Sequence, residues 1–498
     1  MLRQLFRLTL GARAPQVDGE VQVPGLEGAV SIRRDRHGVP YIRASTDADA
    51  FFALGFCQAQ DRAFQLELLV RIARGTAAEV FGEELLDADR LARRIGFARI
   101  AAAQLALADA RTRAEFDAFA RGVNAGHHAG GAGRPQELVL LGAEPTQFLP
   151  SDPLAVLAFM SFAVSTNWDA ELARLRVLQE DGLEALLRSE AAPDRIRQDA
   201  ELLDRLARDA ELLRTAPALS AGLRAASAVG LPLGASNHWA ISGSRTRTGR
   251  PLLAADPHLG PSLPAPWYLA QIRTPEMVMS GACFVSQPVM SIGHNDHVAW
   301  AVTIGHADNT DLFVERLAPD GTKVLSGEDY VPCEVREERI AVRGRTAVIE
   351  RVTVTPRGPI VSPVMGPPGA VLALRGTWMA ARAPGGYQIF RARDVDEAGA
   401  AFDSYPTLTE NRVFADVDGA IAWQMNGDLP RRRRASGLLP APGSVAEAWW
   451  EDEPRARAEL PHERNPARGW VASANQRPAA LDAPGAPFLG ADFLDSYR

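Results

Sequence analysis

The spacing of apolar residues changes character once along this 498-residue chain, near residue 236, and that change constrains the fold more than any other feature. Before it, apolar residues recur with helical period. "TDADAFFALGFCQAQDRAFQLELLVRIARGTAAEVFG" reads as a helix capped by Asp47 or Asp49 and stopped or interrupted at Gly75. Alanine-rich helices follow to about Arg134, and "PSDPLAVLAFMSFAVSTNWDAELARLRVLQEDG" is a further helical region with Ser151 or Asp152 as caps. A hairpin precedes them, its strands in "GAVSIRRDRHGVPYIRAS" turning at His37-Gly38. After residue 236, short runs such as "HWAIS", "HVAWAVTI", "NRVFADV" and "AIAWQMNGDLP" are separated by Gly, Pro, Asp and Asn, the texture of strands and turns. From about Glu180 to Leu231 the chain is rich in Ala, Leu, Asp, Glu and Arg, and reads as amphipathic helix with a solvated face or as a weakly packed spacer. The texture is that of an α+β chain, helix-rich at first and β-rich after Ser236.

Composition narrows the function classes. Net charge is −7, and the longest block of like charge is Arg431 to Arg434, expected as a solvated turn, so nothing suggests a nucleic-acid partner. The three cysteines, Cys57, Cys283 and Cys333, are far apart and suit small buried hydrophobes better than disulfides or zinc ligands. No apolar run reaches the length of a membrane-spanning helix. The opening "MLRQLFRLTLGARAP" is interrupted by Arg7 and makes a poor signal peptide, so no compartment is read from it.

At the change of pattern stands "LPLGASNHWAISGSRTRTGRPLLAADPHLG", with Ser236 inside it and no Gly-x-Ser-x-Gly elbow. A serine hydroxyl needs a base to become a nucleophile. A serine at a chain start carries its own, because an α-amine titrates near 7.7–8.0. Only the peptide bond before it has to break, and a boundary between two textures is where that scheme requires the serine. The blocks around it resemble the penicillin acylase (penicillin amidase) family of N-terminal-nucleophile hydrolases. "VSIRRDRHGVPYIRA", "DADAFFALGFCQAQDRAFQLELL", "GASNHW", "IGHNDHVAWAVTIGHADNTDLFVE", "TENRVFADVDGAIAWQMNGDLPRR" and "RGWVASANQRP" occur in the family's order over nearly the whole chain.

The resemblance implies an αββα sandwich with a helical N-terminal region, divided into a helix-rich region over 1–180, a spacer over 181–235 and a β-rich chain over 236–498. It also implies self-cleavage between Ala235 and Ser236, removal of a spacer, and a heterodimer of the two processed chains. Ser236 matches the nucleophile, Asn411 the oxyanion side-chain donor, and Ile304 the backbone donor. His258 matches a position close to the nucleophile's amine, with a structural hydrogen bonder as its plainer reading. Arg432 matches an arginine held near the oxyanion asparagine, with Arg431 as the alternative. One structural Ca²⁺ is implied, with Asp308, the Thr310 carbonyl and Asp311 as ligands and Glu171 from the first region, Asp169 competing for that place. The histidines His294, His297 and His306 lack a zinc-binding spacing. By family position Met160, Val164, Leu259, Ile292 and Val302 line the acyl pocket, which is then aliphatic and suits a fatty acyl chain over phenylacetyl.

The implied reaction is amide hydrolysis of acylated small molecules: acyl homoserine lactones, acylated β-lactams or acylated peptides. The alternative is an inactive or scaffold relative. The family's second chains run beyond the block matched by "RGWVASANQRP", whereas this chain ends at "GADFLDSYR". The resemblance therefore leads to an expectation of poor stability alone, or of dependence on a second polypeptide.

Overall fold

In the computed structural model, which describes residues 15–129, 134–164, 167–189, 193–204, 236–362, 364 and 371–476, the change of pattern is a change of layer. The hairpin pairs β1 (Ser31–Arg34) antiparallel with β2 (Pro40–Arg43), and Gly38 turns between them at φ 83°. Helix α1 runs Asp47–Arg74 and ends at Gly75 in the left-handed conformation that suits glycine. Its cap is neither expected aspartate. Thr46 accepts from the Asp49 N–H, and the Asp49 carboxylate instead accepts from the backbone of Glu27 and Gly28. α1 lies against α2 (Ala110–His128) at a glycine contact: a Cβ on Gly122 would stand 1.9 Å from the Phe52 carbonyl oxygen. Helix α3 (Asp152–Val164) is apolar on nearly every side and buried, and α4 (Asn167–Glu180) follows it.

The helical layer covers one face of a nine-stranded sheet. Besides β1 and β2, that sheet draws on strands from the second half of the chain. In chain order the second half opens with β3 (Ser236–Ile241) and β4 (Leu252–Pro257), which belong to a second sheet. Then come β5 (Trp267–Arg273), β6 (Val278–Phe284), β7 (Ile292–His294), β8 (Val298–Ile304) and β9 (Thr310–Val314). The last four are β10 (Glu410–Asp416), β11 (Ile421–Asn426), β12 (His462–Arg464) and β13 (Trp470–Ser473). The large sheet has the order β1-β2-β5-β6-β7-β8-β10-β11-β12, and β13-β3-β4 form the second sheet.

The alternation of side chains holds the two sheets together. Val413 and Ala415 of β10, Ala301 of β8, Ala240 of β3 and Val471 of β13 form one buried cluster between them. The outer face of the second sheet carries Trp239, Leu252 and Trp470, which are 38%, 49% and 42% exposed. Among the described residues, no helix is long and apolar enough to cross a membrane.

The start of the expected spacer is built into the body. In α5 (Pro193–Asp204), buried Asp199 accepts from the backbone of Ser436, Leu438 and Leu439 and from the Ser436 hydroxyl. Leu202 joins a core with Phe313 and Trp450. Buried hydrogen bonds of this kind are costly to leave unmade, so in the intact chain the packed body reaches Asp204. Ala235 and the rest of the spacer, residues 205–235, lie outside the described residues.

Candidate active site

Ser236 is the first residue of β3, and the inward phase of that strand buries it with His238 and Ala240. Its nitrogen donates to Asn475 Oδ1 at 2.5 Å. Its hydroxyl oxygen lies 3.4 Å from the backbone nitrogen of His258, just past the end of β4. The His258 ring turns outward, with Nε2 2.8 Å from Asp256 Oδ2, and both side chains are substantially exposed. His258 therefore meets the serine through its backbone, not its imidazole.

The ladder of β8 and β10 sets the rest of the site. Asn411 stands opposite Thr303, and Glu410 opposite Ile304. The Asn411 amide nitrogen donates to the Ile304 carbonyl at 3.3 Å, and Asn475 Nδ2 donates to the same oxygen at 2.7 Å. Asn475 thus links the Ser236 nitrogen to the Ile304 peptide. It sits at φ 64°, a left-handed position that asparagine tolerates better than most residues. Its block, "RGWVASANQRP", was legible as a family match, but its part in the site was missed. The only signal in the sequence is an asparagine between a short strand and a turn.

Ser236 opens onto a cavity of about 100 Å³. Met160, Val164, Leu259 and Val302 line it, as expected. Ile292 does not: it packs in the intersheet cluster with Ala240 and Val413, because it lies on the other face of its strand. The wall is not purely aliphatic either. Trp267, Phe284, Tyr387, Phe402 and Tyr405 contribute to it, which removes the argument for a fatty acyl chain over phenylacetyl.

The solvated-turn reading of the arginine run is corrected at Arg432. It is buried, with Nε and Nη2 on the Asp311 carboxylate at 2.8 and 2.6 Å and Nη2 also 2.8 Å from Asp308 Oδ1. Trp450 Nε1 donates to the same Asp311 at 2.5 Å. The loop after β11 carries Arg432 into this acidic cluster, so it neither lines the cavity nor belongs to a solvated turn. Arg431 pairs with Glu459 near the surface.

The expected calcium residues are therefore grouped around an arginine. Glu171 is fully buried; Oε2 accepts from Leu312 N at 3.1 Å, and Oε1 has no hydrogen-bond partner among the described residues. Burial first, then Asp311 and Asp308, hold its carboxyl well above the usual range. Asp169 is used by its own helix, at the Ala170 N–H. Among the described residues, no three His, Cys, Asp or Glu side chains are already arranged as a metal site. The donor chemistry still suits a hard cation: three carboxylates face one guanidinium, and one buried carboxylate oxygen is orphaned.

The chain belongs to the penicillin amidase family, whose model matches residues 29–498. It is similar to the acyl-homoserine lactone acylase QuiP of Pseudomonas syringae pv. tomato, at 31% identity over 92% of this chain and 57% of that protein. It is also similar to the penicillin acylase 2 proenzyme of Pseudomonas sp. SE83, at 34% identity over 100% of this chain and 65% of that protein. The QuiP acylase of Pseudomonas aeruginosa is 31% identical over 93% of this chain and 57% of its own length. The chain thus spans somewhat over half of these relatives.

Proposed function

We propose that this chain is a self-processing amidohydrolase that cleaves the amide of N-acylated small molecules, with Ser236 as an N-terminal nucleophile. The substrate range suggested by its relatives is acyl-homoserine lactones and acylated β-lactams. The observation that carries this reading is the placement of Ser236: first in its strand, its nitrogen held by Asn475, and on the wall of a largely apolar cavity.

Cleavage before Ser236 converts its peptide nitrogen into an amine. Asn475 Oδ1 accepts one N–H of that amine and turns its lone pair toward the serine's own hydroxyl. The amine removes the hydroxyl proton as Oγ attacks the acyl carbonyl carbon, and then passes it to the leaving amine. Water cleaves the acyl ester by the same route and releases a carboxylic acid. Asn411 and the Ile304 peptide serve the developing oxyanion, a role that in such sites is worth about 10²–10³ in rate per donor.

A Ca²⁺ ion would be held by Glu171, Asp308, Asp311 and the Thr310 carbonyl, beside Arg432. It would neutralise the charge left over by three carboxylates around one guanidinium, and acts in stability, not chemistry. The processed product is a heterodimer of two chains.

Intact mass spectrometry of the purified protein tests the processing step: a new N-terminus at Ser236 is expected. Ser236→Ala should remain one chain and lose all amidase activity. A variant that still splits there, or stays active, removes Ser236 from the mechanism.

A further inference from the structure

The cavity beside Ser236 contains a charged pair that the proposed chemistry does not use. Glu410 and Arg412 flank Asn411 on β10, and the register sets them opposite Ile304 and Val302 of β8. All four line the cavity, as does Thr303, whose hydroxyl also meets that of Ser473 in the second sheet, whereas Asn411 is not part of the wall. Arg412 Nη2 donates to Glu410 Oε2 at 2.5 Å and to the Tyr405 hydroxyl at 3.3 Å. Its guanidinium lies 4.0 Å from the Phe402 ring centroid. Glu410 and Arg412 are 7% and 4% exposed, and Arg412 Nε, buried, has no hydrogen-bond partner among the described residues.

A buried ion pair is a poor stabiliser compared with apolar packing of the same volume. A spare donor on it carries a further desolvation cost unless something accepts from it. Here the unpaired N–H belongs to a side chain that lines a cavity open to the nucleophile. The pair is neutral as a unit, so an anionic ligand would bring a second negative charge beside Glu410. Burial already holds the Glu410 carboxyl above its usual range, against the opposing pull of Arg412.

We propose that Glu410 and Arg412 form a specificity anchor for acyl groups bearing a neutral hydrogen-bond acceptor, a keto or hydroxyl oxygen on the chain. This rests on the amidase reading above, and adds which acyl groups the site selects. The aromatic and aliphatic wall takes the hydrocarbon, and the Arg412 N–H takes the oxygen. A site built to hydrogen-bond a substrate oxygen discriminates more sharply than apolar fit alone.

The test compares amides of one amine with hexanoyl, 3-oxohexanoyl, 3-, 5- and 6-hydroxyhexanoyl and glutaryl groups. At least one oxygenated neutral chain should exceed hexanoyl in kcat/KM by on the order of tenfold. Glutaryl should fall below it. In the paired variant Glu410→Gln with Arg412→Met, the oxygenated-to-hexanoyl ratio should collapse toward one. Hexanoyl preferred over every oxygenated chain, glutaryl preferred over all, or a ratio that survives in the variant overturns the proposal. If wild-type protein hydrolyses none of these amides, the amidase reading fails. The anchor is then judged by calorimetric binding of hexanamide against the keto and hydroxy hexanamides. Tighter binding of an oxygenated amide supports it, and equal or weaker binding overturns it. The wild-type comparisons stand even where the paired variant does not fold.

Discussion

Two buried arginines, twenty residues apart in sequence, meet buried carboxylates in opposite ways. Arg412 faces one carboxylate, rests on the Phe402 ring, and lines the cavity that holds Ser236. Arg432 is held by Asp308 and Asp311, feels Glu171 beyond them, and takes Trp450 as a neighbour. Each keeps one buried nitrogen without a hydrogen-bond partner among the described residues, Nε in Arg412 and Nη1 in Arg432. What separates them is charge balance and access. The first is a neutral pair open to a ligand. The second is an excess of negative charge closed inside the fold, where it joins β9, the loop after β11 and α4. A buried arginine is thus no signature of a catalytic site, and its carboxylate count and its access to a cavity say more than its alignment.

The sharpest way to break the comparison is to remove a group from each side. Asn411→Ala, next to Arg412, should cut turnover by on the order of 10²-fold or more with little change in melting temperature. Steady-state kinetics near wild type would take Asn411 out of the site. Arg432→Met should do the reverse. It strips three carboxylates of their guanidinium, and breaking a buried pair in this way costs about 3–5 kcal/mol. Denaturant unfolding should show that loss. Unchanged stability with collapsed turnover would instead support the role beside the oxyanion asparagine that the resemblance implies for Arg432.

A smaller effect separates the regions by pH. Burial first, then Arg412, depresses the His238 imidazole to about 3. A histidine held neutral in the fold is free to take a proton when unfolded, so the unfolded state binds more protons below about pH 6.5. Stability should therefore fall as pH drops from about 6.5 toward 3. His127, depressed to about 4 by burial and then His128, adds to the same slope. His238→Phe should make the decline shallower; an identical pH–stability curve would show that His238 is not neutral in the fold. The smallest expected effect is that of calcium. Added Ca²⁺ should raise the melting temperature modestly, and Asp308→Asn should abolish that response. Melting curves indifferent to both ion and chelator would mean that Arg432 alone serves the acidic cluster.

Much of the site was legible because its residues fall in short blocks. Ser236, His258, Ile304 and Asn411 stand beside one another in space as those blocks implied. So do Met160, Val164, Leu259 and Val302 on the cavity wall. The misplacements share one cause. Ile292 and Arg432 each lie in the right segment, but which way a side chain points depends on strand phase and loop path. A shift of one residue sends it to the opposite face. Asn475 and Arg412 were unread for a related reason. An asparagine after a strand reads as a turn, and an arginine within a strand reads as its solvated face, until a second sheet or a helical layer buries it.

The sequence by itself determined the helical and β-rich halves, their meeting near Ser236, and a helix in the α1 region up to Gly75. These rest on local periodicity and backbone preference, which act over a few residues. Only the tertiary structure decided that Asn475 holds the Ser236 nitrogen across 239 positions, that Arg432 answers the acidic cluster, and that Glu410 and Arg412 face the cavity. Those are matters of burial and charge pairing between distant segments. Their free energies depend on which groups lose water together, and no local stretch of chain encodes that.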